Sequence, residues 1–246
     1  MNKRLYLFGA LTVVAATVCV RLGVWQLDRL AARRAKNALV LERGASQIIS
    51  MRALREQDTS ATHWNRVTVR GIADYDAEVA LSSRSQAGAP GVYLLTPVRP
   101  LDAGWGDTSV LVLRGYLYSA DARTVDFAKA REPDTLVLDA LVTAFPPPRA
   151  GAVRSPTASR SVRAMNRDTL EMMMARPLVP VVLLALGDTM PHDILRPTRV
   201  PPPSASEGPH KSYAVQWFAF AAVFVVGFFM FAKNVTGPKA RTRTPG

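Results

Sequence analysis

The chain has 246 residues and a formal net charge of +12, and 48% of its residues are hydrophobic. Most of the excess charge lies outside residues 28–210, because that segment holds 23 Lys and Arg against all 19 Asp and Glu. This distribution suits anionic lipid headgroups and argues against a nucleic-acid footprint. The single cysteine, Cys19, excludes an internal disulfide and a zinc knuckle, so we expect it to be a small packing residue.

The first predicted element is an apolar helix close to the N-terminus. Residues 5–20 are uncharged and apolar, and a membrane span is predicted over 5–27 after a cytoplasmic tail of residues 1–4. Arg21 can extend its charge to the interface. A cleaved signal peptide is the alternative interpretation, but residues 17–21 lack the small residues of a cleavage site.

The helical pattern continues beyond this span and then gives way to short strands. A helical extension is predicted over residues 27–44, since this segment has no proline and Gly44 is a plausible stop. The predicted strands cover residues 66–71, 78–82, 91–97, 109–118, 135–145 and 181–186. Together these segments predict a β-rich domain over residues 28–210.

One helix is predicted late in this domain. It covers residues 168–176, with a capping box formed by Asp168 and Glu171. Residues 196–209 are rich in proline and are predicted to be a stiff connector. The stretch 146–161, rich in Pro, Arg and Ser, carries no recognisable pattern.

A second membrane span is predicted over residues 211–232, because the chain carries no charge from Tyr213 to Ala232. A basic cytoplasmic tail, 233–246, follows it. The predicted fold class is therefore a membrane protein with two transmembrane α-helices flanking a mostly β (α+β) extramembrane domain. Basic residues lie on both flanks of the first span, so charge alone leaves the orientation open.

Catalytic patterns are missing from the sequence. There is no G-x-S-x-G elbow, and His63, His192 and His210 do not have the spacing of a zinc protease, so no enzyme is predicted. Copper binding by the methionines at 172–174 with Met165 is an alternative. Consecutive helical residues point in different directions, however, which favours packing.

His210 is the histidine that stands out by its position, at the start of the second span. An imidazole is a common protein ligand of haem iron, and Tyr213, Trp217 and Phe218 could line a porphyrin plate. On position alone, an interfacial anchor is the favoured interpretation.

Five motifs, in order along the chain, resemble the landmarks of one family. They are the G-x-W-Q-x-x-R pattern of residues 23–29, the R-V-T-V-R-G run at 66–71, the strand at 91–97, the V-L-R-G run at 112–115, and the H-x-x-Y-x-x-Q-W block at 210–217. This family is the surfeit locus protein 1 family of cytochrome c oxidase assembly factors. The chain departs from its pattern at Tyr116, where the family usually has tryptophan.

The resemblance implies a function. Family members are expected to help haem a reach subunit I of cytochrome c oxidase, with haem A synthase as a further partner, and His210 would be the proposed iron ligand. Their location would be a bacterial inner membrane, multi-pass, with the middle domain on the extracytoplasmic side, since no mitochondrial presequence precedes the first span. Two rivals stay open: a scaffold that never touches haem, and a membrane-tethered envelope domain unrelated to oxidase.

The same resemblance leads to a set of expected site residues. Around His210, the cofactor-binding residues would be Trp25, Gln26, Arg29, Tyr213, Gln216 and Trp217. Arg29 could pair with a haem propionate or with a lipid headgroup. Gly115 and its neighbour Arg114 would be structural, with Gly115 permitting a close backbone approach or a bulge.

Overall fold

The structure is a computed structural model that describes residues 3–147, 159–187, 196–203 and 205–236. Outside this range lie His192, most of the stretch 146–161 and the C-terminal tail beyond residue 236. The chain divides into two compact units, one formed by residues 1–38 with 205–246 and the other by residues 39–204.

The elements follow in a simple order along the chain. They are α1 (Lys3–Ala45), α2 (Ala53–Glu56), α3 (Thr59–Thr62), β1 (Arg66–Ala73), β2 (Val79–Gln86), β3 (Ala89–Pro100), β4 (Ser109–Tyr118), β5 (Thr135–Ala144), β6 (Ser161–Val162), α4 (Arg167–Met174), β7 (Leu178–Ala185) and α5 (His210–Thr236).

The first unit contains most of α1 together with α5. Both helices are long and apolar enough to cross a membrane, judged by length and composition. The face of α1 that packs on α5 has small residues, with Thr12, Cys19 and Gly23 all buried, and Ala214 and Ala221 are buried on α5. Small residues at these positions let two helix backbones approach closely.

The second unit is a β-rich domain built on a closed barrel. Five strands form a ring in the order β1-β5-β7-β4-β3, and the ring closes because β3 also pairs with β1. The pairs are antiparallel except for β4 with β7. On the outer side, β2 pairs with β3 and then with the short β6.

The barrel core follows from the alternation of the strands. One side chain face from each of the five ring strands enters a single apolar cluster, with members such as Val67, Val98, Val112, Val142 and Leu183. The opposite faces of β4 and β7 enter a second cluster that is covered by α4. Strand β4 is buried along almost its whole length because both of its faces are covered.

The predicted helices and strands are present, with longer boundaries for several strands. The helical extension over 27–44 is confirmed as part of α1, and β2, β3 and β7 each extend beyond the predicted segment. The sequence patterns missed β6, α2 and α3, which are only two to four residues long. Segments this short carry too few residues to show a period.

The predicted capping box at the start of α4 is wrong. The N-cap is Asn166, whose side-chain oxygen accepts a hydrogen bond from the Thr169 backbone N–H at 3.0 Å. Glu171 instead accepts the backbone N–H of Leu178 at 2.9 Å, and so ties the helix to β7. An asparagine two residues earlier is an equally good cap, so it displaces Asp168 from that role.

Candidate functional site

His210 is the first residue of α5, and its half-buried imidazole is held by α1. Nδ1 of His210 lies 2.9 Å from Oε1 of Gln26. An amide oxygen only accepts hydrogen bonds, so Nδ1 carries the proton and donates it to Gln26. In the neutral imidazole this hydrogen bond leaves the lone pair on Nε2, which is the form in which an imidazole ligates a metal.

The surroundings of Nε2 are kept open by a glycine. Gly208 has a φ of +70°, and a Cβ there would lie 3.7 Å from Nε2 and 3.6 Å from Cδ2 of His210. This backbone conformation favours glycine, and any side chain at this position would stand against the imidazole.

The segment that leads into α5 is anchored to α1 by polar contacts. The Arg34 guanidinium donates two hydrogen bonds to the Glu207 carboxylate, at 2.6 and 2.9 Å. Arg33 donates to the carbonyl of Ser206, and Asn37 donates to the carbonyl of Ala205. The Arg34 hydrogen bond lowers the pKa of the Glu207 carboxyl. These contacts position the residues just before His210.

The expected site residues on α1 divide between two roles. Gln26 contacts His210 directly, whereas Trp25 is half-exposed and stacks under the Arg29 guanidinium, 5.6 Å from the ring centroid. Arg29 is exposed. The structure thus places Trp25 and Arg29 together and leaves the guanidinium accessible to an anion.

On α5, the three other expected residues are exposed or half-buried. Tyr213 and Gln216 are exposed, while Ala214 beside them is buried against α1. Trp217 is half-buried and packs edge-on against Phe220, with 5.9 Å between the ring centroids. The geometry thus joins His210 to Gln26, while the side chains of Tyr213 and Gln216 remain open to the surroundings.

Sequence reasoning missed the packing that sets the distance between the two helices. A Cβ on Gly23 would lie 2.7 Å from the ring of Phe218, so this ring rests on the glycine backbone. From the sequence, Gly23 is recognisable only as the first position of the G-x-W-Q-x-x-R motif. Its spacing from the buried Cys19 and Leu30, four and seven residues away, places all three on one face and was the available signal.

The other expected structural residue, Arg114, lies at the centre of an ion network inside the β-rich domain. It is the extra residue of a bulge in β4, since Leu94 pairs with Gly115 and Leu95 pairs with Leu113. The side chain is fully buried and donates to Glu78 Oε1 at 2.6 Å and to Glu132 Oε2 at 2.6 Å. Thr96 donates to the same Glu78 oxygen at 2.8 Å.

Burial and charge act in opposite directions on the two carboxyl groups of this network. Burial raises the pKa of Glu78, and Arg114 offsets only part of that effect. Burial would also raise the pKa of Glu132, but hydrogen bonds and charge from Arg199 and Arg114 outweigh it and lower that pKa. Oε2 of Glu78 has no hydrogen-bond partner in the part of the chain that the structure describes.

Gly115 is in contact with the segment that follows β7. A Cβ on Gly115 would lie 2.5 Å from the carbonyl oxygen of Thr198, a backbone atom that cannot move alone. The backbones of Tyr116 and Thr198 exchange two hydrogen bonds, at 2.7 and 2.8 Å. Arg199 then donates to Glu132 at 2.7 Å and to the carbonyl of Arg114 at 2.7 Å. Part of the predicted connector is thus fixed on β4.

Metal chemistry elsewhere in the domain has little support. Across residues 3–147, 159–187, 196–203 and 205–236, no three His, Cys, Asp or Glu side chains gather to hold an ion. The methionines do not converge, because Met172 is exposed and Met174 is buried in the core. His63 ends α3 and stacks on Trp64 with 4.3 Å between ring centroids.

A haem is nonetheless compatible with the residues at His210. His210 would supply an imidazole ligand to the iron, and the Gln26 hydrogen bond leaves its Nε2 available for that bond. Gly208 keeps this edge of the ring free of a side chain, and Arg29 supplies an exposed cation for a carboxylate.

Fold and site together define a class: a protein with a barrel domain between two long apolar helices, and an oriented histidine at the first residue of the second helix. The model of the SURF1 family matches residues 13–222, and the chain belongs to this family. A SURF1-like protein of Rickettsia bellii is 24% identical over 238 residues, covering 94% of this chain and 93% of the relative. A SURF1-like protein of Rickettsia felis is 22% identical over 229 residues, covering 91% and 96%.

Proposed function

We propose that the chain is an assembly factor for haem–copper (cytochrome c) oxidase that receives haem a at His210 and aids its delivery to subunit I. The observation that carries this proposal is the hydrogen bond from His210 Nδ1 to Gln26, which leaves Nε2 as a free ligand. Membership of the SURF1 family supports the oxidase setting. Haem A synthase is the source from which we expect the cofactor to come.

The proposed topology uses both apolar helices as membrane spans. Residues 5–27 and 211–232 would cross a bacterial inner membrane, with residues 28–210 on the extracytoplasmic side and both tails, 1–4 and 233–246, in the cytoplasm. Their length and composition support this arrangement. Trp25, and Trp217 on α5, suit interfacial positions, because an indole ring has an apolar body and a polar N–H.

Each site residue has a separate task in the proposal. Gln26 holds the imidazole in one tautomer and one orientation, as partners behind a metal ligand do. Gly208 keeps access to Nε2, and Arg29 is available to a propionate. When bound, haem a supplies the iron that accepts the imidazole lone pair. Tyr213, Gln216 and Trp217 would shape the outer face of the site, where a partner subunit can approach.

The proposed action is binding and handover without a catalysed reaction. A carrier must release its cargo. An iron-ligating histidine that is half-buried and held by a hydrogen bond suits release better than a histidine inside an enclosed pocket. The chain's contribution would be to hold haem a away from water until subunit I takes it.

Co-purification tests the oxidase setting. The full chain, tagged and solubilised in a mild detergent, should bring down oxidase subunit I from cells that make haem a. The His210→Ala variant should still bring it down if the β-rich domain makes the contact. Absence of subunit I with the unaltered chain would contradict an oxidase role of either kind, with haem or as a scaffold.

A further inference from the structure

A second feature of the helical unit is an apolar groove between α1 and α5. The groove has a volume of about 540 Å³ and is lined on α1 by Gly9, Thr12, Ala16 and Val20, and on α5 by Phe228 and Phe229. Small side chains on one wall face aromatic rings on the other. This pairing leaves a slot whose width is set by the small residues.

At one end of the groove the Phe228 ring lies against Gly9, where an added Cβ would be 3.1 Å from the ring. At the other end the groove is lined by Arg21. Arg21 is five residues before Gln26, about 8 Å along the helix axis. The end lined by Arg21 is therefore the end nearer the His210–Gln26 pair.

The length of the groove limits what can fill it. Gly9 and Arg21 are twelve residues apart, which corresponds to about 18 Å of helix. An isoprenoid chain with a backbone of about twelve carbons extends to roughly 15 Å at carbon–carbon bonds of about 1.5 Å.

We propose that this groove receives the isoprenoid tail of the haem that His210 ligates, and so selects a tail-bearing haem over a tail-less one. The inference rests on the proposed function, since it assigns a second part of the same ligand. Haem a and haem o both carry a hydroxyethylfarnesyl chain, while haem b carries none.

Selection by the groove depends on packing. In a membrane the tail is surrounded by apolar groups both in lipid and in the groove, so its entry into the groove removes no apolar surface from water. The gain comes from close contacts with Phe228, Phe229 and the α1 backbone at the small residues. We therefore expect a preference of about tenfold rather than an absolute requirement.

The test compares three haems on the detergent-purified full chain. Haem a, haem o and haem b are each titrated while the absorption band of the bound haem is followed. The unaltered chain should bind haem a and haem o about tenfold more tightly than haem b. Haem o separates recognition of the tail from recognition of the formyl group, which only haem a carries.

Two pairs of matched variants locate the effect in the groove. Ala16→Phe fills the slot, and Ala10→Phe places the same ring at an exposed position of α1 outside the groove. Val20→Phe and Val18→Phe form a milder pair, since both valines are exposed and only Val20 lines the groove. The groove variants should bind haem b normally and lose the preference, and the control variants should keep it.

The outcomes separate the inference from the proposal on which it rests. Equal affinity of the unaltered chain for haem a and haem b would overturn the tail groove and leave haem binding at His210 intact. A preference retained in both Ala16→Phe and Val20→Phe would also overturn it. If the unaltered chain bound no haem of any kind, the proposed function itself would fail.

Discussion

The two units of the molecule differ in how far their ion pairs are exposed to water. In the β-rich domain Arg114 and Glu78 are both fully buried, and Arg114 makes hydrogen bonds with each of its guanidinium nitrogens. In the helical unit Arg34 and Glu207 form an equally short pair, but 55% and 44% of their side chains remain exposed. The first pair is therefore shielded from water, while water can reach and screen the second.

This difference matters for function as well as stability. A buried ion pair fixes the strands around it, because breaking it leaves a charge without water or a partner. In the helical unit the His210 imidazole is held by a hydrogen bond to Gln26, and the two helices pack through small residues. We infer that the barrel supplies a rigid body and that the helix pair supplies a site from which a ligand can leave.

The largest expected effect comes from breaking the buried pair. Arg114→Met leaves Glu78 and Glu132 without their shared partner, and it should lower the free energy of unfolding by about 3–5 kcal/mol. Arg34→Met is the matched control at the exposed pair and should cause little change, since water screens that pair. Urea unfolding of the purified full chain, followed by tryptophan fluorescence, measures both.

A double variant sharpens this result. Arg114→Met with Glu78→Leu removes both buried charges, and it should be more stable than Arg114→Met alone. If the double variant were no better than the single one, the cost would lie in lost packing of the long Arg114 stem and not in an unpaired carboxylate.

The next effect in size concerns the backbone contact at Gly115. Gly115→Ala would place a Cβ 2.5 Å from the Thr198 carbonyl oxygen, so the segment around Thr198 must move away. We expect a loss of about 1–3 kcal/mol in the free energy of unfolding. Gly44→Ala is the control, because a Cβ there meets nothing within 4 Å and alanine favours a helix. Equal stability of the two variants would contradict the contact.

A smaller effect is expected at the amide behind the imidazole. Gln26→Leu removes the acceptor of the His210 Nδ1–H but keeps the size of the side chain. Haem affinity should fall by about tenfold, at the lower end of what is lost when a partner behind a metal ligand is removed. Titration of the purified variant with haem a measures this, and an unchanged affinity would show that Gln26 does not orient the ring.

The smallest effect is a dependence on pH. The pKa of Glu132 is lowered in the folded chain, so its stabilising contribution is present above the usual carboxyl range and is lost as the pH falls through the folded value. Glu78, whose pKa is raised, acts in the opposite sense and loses stability as the pH rises. The stability difference between the unaltered chain and Glu132→Gln should therefore shrink from pH 7 towards pH 3. A constant difference would contradict the assignment.

Much of the architecture could be predicted from local patterns. The apolar helices follow from long uncharged runs, and the six longer strands follow from short apolar or alternating runs, such as the alternating residues 66–73 of β1. Barrel closure could not be predicted in this way, because it depends on the pairing of β1 with β3 and of β4 with β7. These pairings join distant segments, and nothing in either strand marks its partner.

The candidate site shows the same division. His210 and Gln26 each belong to a recognisable motif, but they are 184 positions apart, and only the structure shows that they share a hydrogen bond. Arg114 belongs to a recognisable motif, yet its partners Glu78 and Glu132 had no local signal. The sequence could identify residues worth attention, while the pairing of those residues depended on tertiary contacts.

The most direct test of the account is the absorption spectrum of the detergent-purified chain, produced in cells that make haem a. We expect a haem a band in the unaltered chain and in His63→Ala, whose histidine lies in the β-rich domain. The band should be lost in His210→Ala with folding intact. A band that survives in His210→Ala, or no band in any of the three proteins, would contradict the claim that His210 receives the cofactor.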